Sequence, residues 1–133
     1  MRNKILFFLS IVSFLVSLVL PVHFIFDKPD EYLGYVYLSV GWYTFPYLDF
    51  FCWLGNFTLL VSWIFCKKKF SLYTAYLTAV LMSFYGINHL FELDILMVKE
   101  YHLPLFGYWL WFLSSIFQII YLYKRNYMKS QTI

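Results

Sequence analysis

Charge is what this chain has least of: 13% of its 133 residues are Asp, Glu, Lys or Arg, against 62% hydrophobic. Soluble domains carry about 25% charged and 45–50% apolar residues. That deficit excludes an ordinary water-soluble fold, which has nowhere to hide so much apolar surface. Cysteine is almost missing too, with only Cys52 and Cys66. On one helix these two would stand roughly 21 Å apart, far beyond the ~7 Å that a disulfide spans. They read as small apolar packing residues. No CxxC pair, HExxH helix motif, nucleotide loop, serine elbow or internal repeat occurs. Sequence support for metalloprotease, nucleotide-dependent or serine-hydrolase chemistry is therefore lacking, and no nucleophile and base can be paired by spacing. The apolar runs do not alternate, which excludes a closed transmembrane barrel.

What is present is a set of long uncharged runs separated by short polar junctions. Runs longer than about 18 residues mark candidate transmembrane helices. Spans are expected at about 5–26, 47–66, 70–91 and 105–123, making a single all-α membrane domain, a four-helix bundle. The first run starts after Arg2 and Lys4, as secretory signals do, but it is longer than most of them and lacks a small-x-small cleavage site, so it is read as a retained helix.

The few charges are unevenly distributed. Arg2 and Lys4, Lys67, Lys68 and Lys69, and Lys124, Arg125 and Lys129 lie in three segments without an acid; the other two junctions hold Asp27, Lys28, Asp30 and Glu31, and Glu92, Asp94, Lys99 and Glu100. This alternation places both termini and the lysine turn on the cytoplasmic side. It also accounts for the net charge of +3 through topology and attraction to anionic lipid. No nucleic-acid partner is needed.

Gly34 to Cys66 is too long for one span, since a straight helix over it would reach roughly 50 Å against a hydrocarbon core of about 30 Å. A short outer element at about 34–45, rich in Tyr35, Tyr37, Trp42 and Tyr43, is expected before a break at Thr44 to Pro46. Counting outward from Cys66 places Asp49 at the outer rim, where a carboxylate suits the first turn of a helix. The same count puts Asn56 near the midplane, where its amide needs a partner, expected to be a carbonyl or hydroxyl on another helix. Gly55, Thr58 and Ser62 form a small face beside it. Small residues also recur at Ser10, Ser13 and Ser17 and at Ser71, Ala75, Ala79 and Ser83, predicting close helix contacts.

A possible chemical constellation lies on the outer side. His23, His89 and His102 map there with Asp49, Asn88, Glu92 and Asp94, and His89 and Glu92 share a helix face. Such a group could bind a metal or haem, or titrate near neutrality. No spacing motif fixes any two of them as ligands, so interfacial histidines bonded to loop carbonyls are the preferred reading, with no cofactor expected.

Gly41, Trp42, Trp53, Leu54, Gly55 and Asn56, with the later FGYWLW stretch from Phe106 to Trp111, resemble the Gly-Trp, Trp-Leu-small-Asn and Gly-Tyr-x-Leu-Trp elements of a family of small, uncharacterised bacterial membrane proteins. The chain departs from that pattern at Gly55, where alanine is expected, and at Thr58, near where a proline often follows the asparagine. The resemblance implies four helices in a bacterial inner membrane and brings no catalytic residues. The expected function is that of a non-enzymatic accessory or immunity-type membrane component. Its expected partners are the lipid bilayer and another membrane protein or a second copy. A small oligomeric transporter and an outer-facing metal or haem module are the alternatives. Known four-helix exporters place a buried carboxylate in the first helix, and this first run has none.

Overall fold

The computed structural model describes residues 2–25, 28–46, 48–90 and 102–130. Its elements are the helices α1 (Arg2–Val19), α2 (Gly34–Val40), α3 (Leu48–Trp53), α4 (Gly55–Ile64), α5 (Phe70–Leu90) and α6 (Phe106–Ser130), and the strands β1 (Pro21–Ile25), β2 (Lys28–Leu33) and β3 (His102–Pro104). The chain is thus mostly helical, as the composition requires.

The first helix ends at Val19, well short of the expected Phe26. Pro21 explains the stop, because proline disfavours the helical conformation of the residue before it and has no amide to continue the ladder. The β-branched and aromatic residues that follow pair instead. β1 lies between β2 and β3 in an antiparallel sheet, with Pro21 opposite Leu33 and Phe24 opposite Leu103. The junctions expected to be simple outer turns are therefore tied together by strand pairing. Two further backbone bonds fasten the sheet to the helices: Gly34 N donates to Leu20 O at 3.1 Å and Leu105 N to Val22 O at 2.8 Å.

The stretch from Gly34 to Thr44 is helical, α2 followed by a 3-10 turn over Gly41–Thr44. It is tucked against the bundle. Gly34 packs on the backbone of Ser17 and Leu18, Gly41 lies beneath the Trp53 indole, and neither position has room for a Cβ. Trp53 Nε1 also donates to Leu38 O at 2.9 Å. α3 and α4 are nearly continuous, for Leu54 keeps helical angles (φ −59°, ψ −19°) and its amide donates to Phe50 O at 3.1 Å. Their joint path from Leu48 to Ile64 rises about 25 Å.

α1 packs most extensively on α6, α6 on α5, and α5 on α4. Trp63 closes the ring between α4 and α1: its Nε1 donates to Ser10 Oγ at 3.0 Å and its ring meets Phe14 edge-on at 5.4 Å. The core gathers Phe14, Val22, Cys52, Leu59, Met82, Tyr85, Tyr108 and Trp111.

Two described helices are long and apolar enough to cross a membrane, Phe70–Asn88 and Phe106–Tyr127; Lys4–Val19 and Asp49–Ile64 are shorter apolar helices.

Candidate functional site

The interior is unusually polar. Among the described residues, ten buried hydrophobic ones share it with eleven buried polar ones, including Asp49, Asn56, Asn88 and Gln118. Meanwhile large apolar side chains such as Phe8, Leu15, Phe57, Ile64, Phe84 and Ile87 face outward. Soluble proteins hide the second class and expose the first.

Towards the end of the bundle that carries the sheet, α2 directs Tyr37 into the core, where its ring meets Tyr85 at 5.8 Å and Trp111 at 6.1 Å, both edge-on. The Tyr37 and Tyr85 phenols lie close enough to act on each other electrostatically. Asp49, in the first turn of α3, is only 6% exposed, and its carboxylate acts electrostatically on Tyr37, Cys52 and Tyr85. Burial, with Asp49 as the second cause, pushes the Tyr37 phenol well above its ordinary range, so it stays neutral at physiological pH. Asp49 therefore combines the helix-start position expected for it with a buried phenolic setting that the outward count did not reveal.

Asn56 is buried as expected, but its partner differs. Nδ2 donates to Trp53 O at 2.9 Å, one turn back on its own helical path, not to another helix. The α3–α4 junction makes this possible, because Phe57 N, which would reach Trp53 O in a continuous helix, donates to Leu54 O at 3.0 Å instead and leaves the Trp53 carbonyl to a side chain. Asn56 also lines a closed cavity of about 10 Å³ with Ser17, Tyr37 and Trp111. Trp111 Nε1 is buried without an acceptor. Tyr108 reaches across from α6 and donates to Met82 O at 2.7 Å; Gly86 provides the space its hydroxyl occupies.

Towards the α4–α5 turn, side chains bond to carbonyls of neighbouring helices. Ser10 Oγ donates to Ser114 O at 2.7 Å. Ser71 Oγ and Gln118 Nε2 both donate to Ser62 O, at 2.9 and 3.1 Å. Thr58 and Thr78 join α4 to α5 through a 2.7 Å hydroxyl pair. Gln118 Oε1, Ser62 Oγ and Ser114 Oγ are buried without partners.

On α5, Ser71 and Ala75 are buried as the four-residue repeat predicts, but Ala79 and Ser83 are only partly covered. A step of four residues advances about 40° beyond a full turn, so the stripe drifts off the interface. Thr78, Met82 and Tyr85 take over the buried face. Ala79 and Ser83 instead line an open apolar groove of about 410 Å³ between α5 and α6, with Phe84, Ile87 and Phe112.

The outer histidines are only partly gathered. The strand register puts the backbones of His23 and His102 on adjacent strands, opposite Pro104 and Ile25, while His89 lies in the last turn of α5. Glu92, Asp94 and Glu100 lie outside the described residues. Among the described residues no group of three or more His, Cys, Asp or Glu could hold a metal. Gly55 faces Thr78, Leu81 and Met82, and Trp42, half exposed, stacks on the exposed Tyr43 at 3.7 Å.

Sequence reasoning missed Tyr37, Tyr85 and Tyr108 as interior residues, because a tyrosine in an apolar run looks like interfacial filler. The one usable signal was Gly86, which makes room for Tyr108. Gln118, an uncharged polar residue deep in the fourth run, carried a clearer mark. Four of the bonds that hydroxyls donate join different helices, from Ser10, Ser71 and Tyr108 to carbonyls and between Thr58 and Thr78; the others return three or four residues back along their own helix. The chain matches no protein-family model, no curated protein and no solved structure.

Proposed function

We propose that the protein is a multi-pass integral membrane protein whose four helical segments cross a bacterial inner membrane with both termini cytoplasmic. In this reading it is a non-enzymatic accessory or immunity-type component that works by contact with another membrane protein. The observation that carries the membrane assignment is the inverted distribution of side chains: hydrogen-bonded polar groups inside, large apolar groups outside. Lipid is the solvent for which that arrangement is favourable.

α1 and the α3–α4 path are short for spans, but α1 lies along α6 and α4 along α5. Their outward faces, with Phe8, Leu15 and Val19 on α1 and Phe57, Leu60 and Ile64 on α4, are apolar. Helices so packed share one slab, and a mismatch of a few ångström is absorbed by tilt or local bilayer thinning. The accessory role is supported by the carbonyl-directed hydroxyls, which leave the interior built for cohesion. A photoreactive residue at Ile87, on the groove wall, tests it in intact membranes. The expected outcome is a discrete adduct heavier than the monomer; monomer alone, at full photolysis, overturns the accessory reading.

The burial of Asp49 favours a second reading, a small oligomeric carrier that uses this carboxylate. Ion or proton flux into proteoliposomes that disappears in Asp49→Asn supports the carrier. Flux unchanged by Asp49→Asn, or none at all, removes it.

A further inference from the structure

Arg125, near the inner end of α6, is partly buried, and its Nε and Nη1 atoms are covered and have no acceptor. Nη2 donates to Asn126 Oδ1 at a long 3.3 Å, and the Tyr121 phenol lies close to both Arg125 and Cys66. A guanidinium with covered, unpaired N–H groups is costly unless an anion joins it. Among the described residues no acid meets Arg125 Nε or Nη1; the described acids, Asp30, Glu31 and Asp49, lie on β2 and α3. Lys67, Lys68 and Lys69 follow Cys66 in the α4–α5 turn and Lys124 precedes Arg125 on α6; they add attraction for an anion and no acceptor.

The level of the site identifies the anion. From Phe106 to Arg125, α6 rises about 28 Å, close to the ~30 Å thickness of a hydrocarbon core. With the helix start at one boundary, Arg125 stands at the other, at the depth of lipid phosphates. An arginine fork matches two phosphate oxygens in a way that lysine does not. We infer that Arg125, flanked by the Lys67–Lys69 turn and Lys124, binds the headgroup phosphate of an anionic phospholipid of the inner leaflet. The basic residues that orient the chain thus include one with a defined ligand. This assignment rests on the membrane topology proposed above.

The test uses the full chain in phosphatidylcholine nanodiscs to which phosphatidylglycerol is added, with bound lipid read by native mass spectrometry after release. The wild type should retain phosphatidylglycerol in preference to phosphatidylcholine. Arg125→Gln should weaken that retention by about tenfold, and Arg125→Lys by less. No preference in the wild type, or equal retention by Arg125→Gln, overturns the site; the wild-type comparison stands even where a variant fails to fold. Inorganic phosphate at millimolar concentration is the second arm. If it displaces the lipid completely, the site takes free anions and the lipid assignment falls. Alkaline carbonate extraction runs in parallel: release into the soluble fraction overturns the membrane reading itself, whereas retention without lipid preference overturns the site alone.

Discussion

Glycine-to-alanine substitutions at Gly86 and Gly55 are expected to move stability in opposite directions. At Gly86 a methyl group would collide with the Tyr108 hydroxyl and push it off Met82 O. Overpacking of that kind costs about 1–3 kcal/mol. At Gly55 the nearest atoms to a new Cβ are 3.7–3.9 Å away, so Gly55→Ala should be neutral or stabilising by about 0.5–1 kcal/mol through reduced unfolded-state freedom. Reversible unfolding in mixed micelles measures both. It also shows whether the alanine expected at this position by resemblance is tolerated here. Trp111→Phe makes a third case, since it removes a buried donor that has no acceptor. It should stay within about 1 kcal/mol of wild type, although the ring is in the core, because no hydrogen bond is lost. At this scale the sequence was informative about which polar residues are buried and poor about their partners. Asn56 could be placed by counting residues along a helix, but its bond to Trp53 O depends on a local interruption at Leu54 that no residue type announces.

Among the elements, the third helix was legible almost to its ends and the fourth at its start, because lysines and proline bound the apolar runs there; α6 continues to Ser130, seven residues beyond the expected Tyr123, because a helix goes on through polar residues where the apolar run stops. The end of α1 was misjudged through hydrophobicity alone. Val22, Phe24 and Ile25 are as apolar as the helix before them, and only Pro21 distinguishes the two. The small-residue stripe of α5 shows a different limit, since a repeat of four is not the helical repeat, and residues aligned in the sequence drift around the cylinder. What holds the elements together is directional. Ser10 accepts from Trp63 and donates to Ser114 O, so one hydroxyl joins α1, α4 and α6. Ser10→Ala should therefore cost about 1–3 kcal/mol, leaving a buried indole donor unpaired. In a cycle with Trp63→Phe the two losses should fall short of additivity, the mark of a shared bond. Additive losses would mean that the serine acts through its other contact.

For the molecule as a whole, the distribution of charges carries the topology, and labelling with a membrane-impermeant maleimide checks it. Cys66 should react only from the cytoplasmic side, beside the lysine turn. A cysteine placed at the exposed Ser39 should react only from outside, while Cys52, 1% exposed, stays silent until unfolding. Reaction of both sites from one face would invert or break the proposed arrangement. The small sheet was beyond reach of the sequence, because its three strands are short and come from two distant junctions, and pairing between them is settled only by where the helices deliver their ends. That geometry has a consequence for biogenesis. β1 needs β3 as its second neighbour, and β3 is made only after α5 and the residues following it have left the ribosome. At about 5–20 residues per second, several seconds separate the two strands. During that interval one edge of β1 presents open amides and carbonyls to its surroundings. Stalling translation between Leu90 and His102 should therefore yield chains whose first hairpin is protease-sensitive, and release past Pro104 should restore protection.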